Sequence, residues 1–393
     1  MRESGVSKGS PPRGLGSVAV ARAITRAIDD GATPGAAVIV GRGSEVVFEG
    51  CYGRLWPLGP PVSAASIYDL SSLTKPLATL ASLLKLVAAR KLSLSTPLRD
   101  VLGEFAPGGA DRRRARVTLL QLAAHASGLP ARGRYFEKLR EEDRRGSEAF
   151  YGSERGRAKV IALASAEPLV ADPGTRIEYS DVGYILIGAA IERVANADLA
   201  TVVSRELLDP LEIGDVGFVD VPTRTIRGRA IDLARVAPAD VCAWRGALVH
   251  GVVQDENAHA MGGIGGHAGL FGTARAVHRL AAEYVRAYLG ESSILDPALV
   301  RQCWSGPGCI VAGSTWAVGW DTPTPGASSA GRLVSARAFG HLGFTGTSIW
   351  VDLERGVHMV LLTNRVHPSK DNLLIREMRP RVHDAIFKML DEE

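Results

Sequence analysis

Residues 69–77 read Asp69-Leu70-Ser71-Ser72-Leu73-Thr74-Lys75-Pro76-Leu77. Asp69, Ser71 and Ser72 are residue types that cap helix N-termini, and Pro76 is best tolerated in a first turn. Downstream, Leu77, Leu80, Ala81, Leu84, Val87 and Ala88 fall on one face of a helix running to about Arg90. Ser72 therefore stands where a helix opens. A hydroxyl there lies beside free N–H groups and the positive end of the helix dipole. Lys75, one turn on, projects from the same face. A buried or cation-crowded lysine can lose its proton near neutrality and serve as a base for a serine nucleophile. The plainer alternative makes Ser72 a cap and Lys75 a solvated amine. A second Ser-x-x-Lys, Ser82 to Lys85, lies mid-helix, where a serine hydroxyl usually bonds back to its own backbone.

Working outward, Val18 to Ala27 has helical spacing. Ala36 to Val40 and Glu45 to Gly50, separated by Gly43-Ser44, read as a β-hairpin. Val182 to Val194 and Val277 to Tyr288 read as helices. Ser348 to Val351 and Val357 to Leu362 read as strands around the turn Glu354-Arg355-Gly356, and Ile375 to Leu390 as a last amphipathic helix. Strands at both ends with helices between imply a discontinuous α/β domain of residues 16–70 plus 311–393. A mostly helical region, 71–310, is inserted into it, and 1–15 form a polar Gly/Ser/Pro tail. No fixed-period repeat is present.

The 393 residues carry 46% hydrophobic and 22% charged residues and a net charge of +4, an ordinary globular composition that excludes wholesale disorder. The sharpest basic run, Arg112-Arg113-Arg114, is read as a solvated turn, so no nucleic-acid partner is expected. Four dispersed cysteines form neither C-x-x-C nor a disulfide framework. No apolar leader and no membrane-spanning stretch is visible, which makes a cytoplasmic location the expectation and an extracytoplasmic one the alternative. Metal-site signatures and the P-loop are absent, and no organic cofactor is implied. The loop histidines His250, His259 and His267 with Asp255 leave a metal-dependent reading open.

Two further signals accompany Ser72-x-x-Lys75. Glu178-Tyr179-Ser180-Asp181-Val182 opens the clearest middle helix, with Ser180 or Asp181 as its cap. Gly340-His341-Leu342-Gly343-Phe344 lies near a late strand, its glycines permitting close approach of a ligand. Ser-x-x-Lys, then Tyr-Ser-Asp, then His-x-Gly, in that order, resembles the serine β-lactamase/penicillin-binding-protein superfamily, closest to its class C branch of D-alanyl-D-alanine peptidases and lactamase-like esterases. The resemblance covers nearly the whole chain. It extends to Pro34-Gly35-Ala36-Ala37, His125-Ala126-Ser127-Gly128-Leu129-Pro130, Gly266-His267-Ala268-Gly269-Leu270-Phe271 and Thr363-Asn364-Arg365-Val366-His367-Pro368.

The resemblance implies an α+β, β-lactamase/transpeptidase-like fold: an antiparallel sheet flanked by helices, with the helical insertion and the active site in the cleft between them. It implies Ser72 as the acylated nucleophile, Lys75 as its proton partner and Tyr179 as the base, its phenolate favoured by nearby cations. Asp181, His341, Gly343 and Phe344 would bind substrate. His341 would hold a carboxylate or polarise Tyr179, and the N–H groups of Ser72 and Phe344 would form an oxyanion hole. The implied substrate is a small molecule or short peptide: a D-Ala-type peptide, a small ester or a β-lactam. The alternative is a catalytically impaired member that binds peptidoglycan-like or D-amino-acid ligands. The chain departs from the family at Asp181, where the family has Asn; an ionised Asp can only accept hydrogen bonds, and it can pair with Lys75. It departs at Leu342, where Thr is usual, and at Gln254 in Val253-Gln254-Asp255-Glu256-Asn257-Ala258, where the subgroup has His. That last loop receives no chemical role. The charged stretch Arg132 to Arg157 is the expected rim of the cleft.

Overall fold

The computed structural model describes residues 15–107, 111–146, 150–306 and 308–392. Of the expected tail, 1–14 lie outside the described residues; Leu15 already begins a helix.

A five-stranded antiparallel sheet joins the two ends of the chain. Its strands are β1 (Gly35–Arg42), β2 (Glu45–Gly53), β3 (Ala338–Leu342), β4 (Ser348–Asp352) and β5 (Val357–Thr363), in the order β3-β4-β5-β1-β2. Ala36 pairs with Thr363, Ser348 with Leu361 and His341 with Ile349. The continuous apolar run of β1 follows from its central position. Successive side chains of a strand point to opposite faces, and here both faces are covered. Ala36, Val38 and Val40 pack on one side with Val20, Ile24, Val382, Ile386 and Phe387. Those partners come from α1 (Leu15–Asp29) and α5 (Ile375–Asp391), which lie against each other. Ala37 and Ile39 point the other way, into a core shared with Val277 and Leu280 of α4 (Ala274–Leu289). Each fully buried Val or Ile contributes about 1.5–3 kcal/mol, so a single Val38→Asp would replace that gain with an unpaired buried charge.

Helix α4 packs on β1 and β5, although the sequence reading assigns it to the helical region. That region also carries strands its pattern does not reveal. Tyr68–Asp69, Leu270–Gly272 and Val216–Asp220, with two further two-residue strands, make a second antiparallel sheet. Strands of two or three residues are too short to leave a period-2 signature. α2 (Ala81–Ala88) and the helices Leu98–Val101, Leu119–Ala123, Glu154–Ser165 and Leu199–Val203 pack around α3 (Asp181–Ala195), which is buried almost all round. Arg114, read as part of a solvated turn, is buried, with its guanidinium spent on the carbonyls of Phe105, Ser165 and Glu167.

The segment after Ser72 is less regular than its spacing suggests. A 3₁₀ turn, Ser71–Leu73, leads into a π-helical stretch, Lys75–Leu80, and only then into α2 (Ala81–Ala88). Widened turns of this kind recur at functional sites. Ser82, expected to bond back to its helix, has a buried hydroxyl with no partner among the described residues, and Lys85 donates to the Ile294 carbonyl.

Candidate active site

Three segments converge on Ser72. The first is its own turn. Thr74 Oγ1 donates to the Ser71 carbonyl at 2.6 Å and accepts from the Leu270 N–H at 3.1 Å; Thr79 Oγ1 donates to the Gly266 carbonyl at 2.6 Å. These bonds tie the Ser72 turn to the Gly-rich stretch 266–270. Gly266 is obligatory there, since a Cβ would stand 2.1 Å from the Tyr184 carbonyl oxygen on α3.

The second segment carries Tyr179 and Asp181. Ser180 caps α3: its Oγ accepts from the Gly183 N–H at 3.0 Å and donates to the Pro130 carbonyl at 2.7 Å. Its own N–H donates to His125 Nδ1 at 3.0 Å, and the Asp181 N–H reaches the Ala131 carbonyl at 2.8 Å. The turn 125–130 is thus the mould that sets Tyr179 and Asp181. His125 also packs its ring 4.5 Å from that of Tyr179 and 4.8 Å from Trp316.

The third segment is the edge strand β3. His341 lies within it, and Gly343 and Phe344 follow its end. Gly343 was expected to admit a ligand. On its Cβ side, however, it admits the protein itself: a Cβ there would stand 2.0 Å from Thr347 Oγ1 and 2.7 Å from the Leu70 carbonyl. Its role in the geometry is to let β3 close upon the turn that holds Ser72.

Where these segments meet, Lys75 Nζ lies 2.9 Å from Ser72 Oγ, 2.8 Å from Asp181 Oδ1 and 3.0 Å from the His267 carbonyl. It also stands 4.9 Å over the Tyr179 ring. The buried Tyr179 hydroxyl faces Ser72 and Lys75, and both draw its pKa down. Asp181 takes a second cation, Arg132 Nε, at 2.9 Å on Oδ2. Burial is the largest influence on Lys75 and opposes its charge, but Asp181 and Tyr179 together outweigh it, so Lys75 is held protonated above its ordinary range. Burial is likewise the largest influence against the Asp181 charge, and Lys75, His267 and Arg132 together outweigh it, holding the carboxylate ionised. For Tyr179 the balance runs the other way. Burial pushes its phenol up; Lys75 draws it down but does not overcome burial. The phenolate expected from the cation-rich surroundings is therefore not the resting form.

His341 departs from expectation in the same manner. Its Nδ1 lies 2.9 Å from the Leu342 carbonyl, which can only accept, so Nδ1 carries the proton. Nε2 is then an acceptor, buried and without a protein partner among the described residues. Burial, with Lys75 nearby, pushes the imidazole down to about 3. A neutral ring of this tautomer does not attract a carboxylate; it offers a lone pair to a donor.

The cleft has two lobes around Ser72, separated by the exposed Arg132. One, about 570 Å³, is lined by Ser71, Ser72, Asp181, Gln254, Asp255, His267 and Phe344. The other, about 360 Å³, is lined by Ser72, Tyr179, Trp316, His341, Phe344, Arg365, Arg376 and Arg379. Of the expected rim 132–157, Arg132 lines both lobes, and 147–149 lie outside the described residues. The loop 253–258, left without a role by its sequence, lines the first lobe. Asp255 Oδ1 stands 2.8 Å from His267 Nε2, and the Gln254 N–H donates to Asp69 at 2.7 Å. The metal reading does not survive this geometry. Of its four residues only Asp255 and His267 are bonded, His250 is spent on backbone carbonyls, and the described residues contain no cluster of three metal-ligating side chains.

A family model, Beta-lactamase, matches residues 20–380. The chain belongs to the beta-lactamase family. Within this family of serine hydrolases of carboxypeptidase, esterase and β-lactamase type, it is 30% identical to esterase EstB of Burkholderia gladioli, over 89% of this chain and 90% of that one. It is 26% identical to a putative D-alanyl-D-alanine carboxypeptidase of Escherichia coli O157:H7, over 88% and 81%. Its fold matches EstCE1, a hydrolase with promiscuous acyltransferase activity, with a TM-score of 0.70 at 21% identity, covering 94% of this chain and 98% of that chain. The fold is accordingly the β-lactamase/transpeptidase-like α+β arrangement. No helix among the described residues is long and apolar enough to cross a membrane.

Among the cleft residues, Arg132, Gln254, Trp316, Arg365, Arg376 and Arg379 received no catalytic or binding role from the sequence, and Asp255 and His267 only the metal reading. His267 lay inside a quoted motif, and the charge of Arg132 lay in the expected rim; Trp316 and Arg379 carried no local signal.

Proposed function

We propose that the chain is an acyl-transferring serine hydrolase acting on D-Ala-type peptides, with Ser72 as nucleophile. The observation that carries this is the 2.9 Å contact of Ser72 Oγ with a fully buried lysine in a cleft, with the Tyr179 ring 4.9 Å from the same ammonium. Ser72 Oγ attacks the acyl carbon while its proton passes to the Tyr179 oxygen in its minor phenolate form. Tyr179 then returns that proton to the departing amine. Water attacks the Ser72 ester with the same oxygen as base, which restores the free serine. Lys75, kept charged by Asp181, stabilises the phenolate without itself taking the proton.

The choice of a peptide ending in a carboxylate rests on the second lobe. Arg379 is buried, and its N–H groups reach only the carbonyls of Gly343 and Thr347, at 2.8 and 2.9 Å. It forms no ion pair among the described residues, and burial pushes it down to about 9. A buried guanidinium without a counter-ion is costly, and a substrate carboxylate beside it would supply one. A small-ester reading is favoured by a different feature, the exposed apolar side chains of Phe344 and Leu373 at the mouth of both lobes.

The test compares wild type with Ser72→Ala. Intact mass is measured after exposure to a fluorescent penicillin, and turnover is measured on p-nitrophenyl acetate and on an acyl-D-Ala-D-Ala peptide with a free or amidated C-terminus. Ser72-dependent turnover, at least about tenfold faster for the free carboxylate, is expected, one charge-assisted hydrogen bond being of that size. Ester turnover with no preference for the carboxylate leaves the esterase reading. Turnover that persists in Ser72→Ala refutes the nucleophile, and saturable binding without turnover leaves the impaired, ligand-binding alternative.

A further inference from the structure

The residue before the nucleophile is in an unusual state. Ser71 has φ +51°, a left-handed conformation that a non-glycine residue adopts at a cost. Three bonds over-determine it. Its N–H donates to Asp69 Oδ1 at 2.8 Å, its carbonyl accepts from Thr74 Oγ1 at 2.6 Å, and its Oγ accepts from the Phe344 N–H at 3.1 Å. The last bond matters most, because the Phe344 N–H was the expected second donor of the oxyanion hole. In the structure that donor is already engaged. An acyl oxygen would have to share or displace that bond to reach the Phe344 N–H.

The Ser71 hydroxyl, having accepted one hydrogen bond, still has its own proton to give. No acceptor for it lies within hydrogen-bond distance among the described residues, and Ser71 lines the lobe beside Ser72 and Phe344. A hydroxyl that accepts from an N–H is polarised into a stronger donor. Asp69 fixes the turn that aims it, and Gln254 and Thr345 fix Asp69 through bonds of 2.7 Å to its carboxylate and carbonyl.

We propose that Ser71 is a further catalytic residue, whose hydroxyl relays the Phe344 N–H and donates directly to the oxyanion that forms when Ser72 attacks. This rests on the acyl-enzyme reading above. In it the oxyanion hole consists of the Ser72 N–H and the Ser71 O–H, with the Phe344 N–H behind the latter. A preorganised donor at such a position is worth about 10²–10³ in rate.

The test measures kcat and KM on p-nitrophenyl acetate, and the affinity of an alkylboronic acid that forms a tetrahedral adduct on Ser72, for wild type, Ser71→Ala and Ser71→Gly. Glycine accepts the positive φ without strain, so Ser71→Gly keeps the turn where alanine fails to fold. A fall in kcat of about 10²-fold, with similar KM and a comparably weakened boronate, is expected in both folded variants. A kcat equal to or above wild type in either variant overturns the proposal and makes Ser71 a mere plug on the Phe344 N–H. Loss of boronate affinity matched by an equal rise in KM, with kcat unchanged, overturns it as well, since that pattern reports ground-state binding. A folded wild type lacking Ser72-dependent turnover overturns the acyl-enzyme reading, and this proposal with it; an active wild type with active Ser71 variants sinks this proposal alone.

Discussion

The Asp181 carboxylate stands 2.8 Å from Lys75 Nζ, where the lysine side chain has no exposure to solvent at all. That relationship fixes the protonation of the whole cleft. With Asp181 in place, the family's Asn position carries an acceptor in place of a donor, and Lys75 is a permanent cation. Asp181→Asn removes the only carboxylate bonded to Lys75 among the described residues, so that burial meets far less opposition. A buried lysine can drop by up to 3–5 pKa units. The neutral Lys75 can then take the Ser72 proton itself, while Tyr179 loses the cation that draws it down together with the carboxylate that raises it. The alkaline limb of kcat/KM for ester hydrolysis should therefore move to lower pH, by about 2 units or more on that scale. Acylation by a fluorescent penicillin should rise, since Asn can donate to the side-chain amide. An unmoved pH profile would contradict the account. Asp181→Ala, which strands the cation without a counter-ion, should cost about 3–5 kcal/mol of stability, read from denaturant midpoints.

Tyr179→Phe tests the base. Burial, partly offset by Lys75, holds the phenol protonated through neutrality, so the reactive phenolate is a minor species whose share grows with pH. Wild-type kcat should accordingly climb towards alkaline pH. The phenylalanine variant should lose about 10²–10⁴ in kcat together with that climb, while KM changes little. A variant that retains the alkaline climb would move the base role to another group, Lys75 first.

Asp69 is the support of the nucleophile turn, and its two oxygens accept from the N–H groups of Ser71 and Gln254. Burial pushes its carboxyl up to about 6 in spite of those bonds. Asp69→Asn turns one acceptor into a donor facing an N–H. Activity should fall at least about tenfold, by the cost of one unmatched buried hydrogen bond. The loss should appear in kcat, with Ser72 still labelled, though more slowly, by a penicillin. Full activity in the variant would show that the turn needs no such anchor.

The parts legible in the sequence were those set by local pattern. The two-faced burial of β1 reads as an unbroken apolar run, and Ser72 and Lys75 lie one helical turn apart, so their proximity is a matter of spacing. Ser180 reads as a cap because capping is a contact of three residues. What was not legible depends on contacts between distant segments. Arg132 reaches Asp181 from 49 positions away, and Ser71 meets Phe344 across 273. The protonation of Tyr179 and His341 turns on burial, which residue type alone does not reveal. The loop 253–258 gained a position only when Asp255 was seen against His267, and Arg379 only when it was seen buried without an anion.

Acidification supplies the last prediction. Burial holds His259, His341 and His358 down to about 3, His383 to about 4, and His125 well below its ordinary value. In the unfolded chain each histidine titrates near 6.5. Between that pH and the folded value the unfolded state binds the extra proton, so the stability each histidine contributes is complete above about 6.5 and is lost as pH falls towards about 3. Each such group contributes a slope of about 1.4 kcal/mol per pH unit within the window. Asp69 and Asp321, pushed up to about 6 by burial, act in the opposite sense: their contribution is present at low pH and is lost as pH rises from about 4 to 6. These five and His278, also held low, against three raised carboxyls, Asp69, Asp321 and Glu192, leave the histidines in control, and the ionised Asp181, held low, reinforces them. The melting temperature should thus fall steeply between pH 6.5 and 4, and the loss should be shallower in His383→Gln, where one of these titrations is gone. Thermal melts at half-unit steps would measure it; a melting temperature flat across that window would show that these rings are not buried neutral in the folded protein.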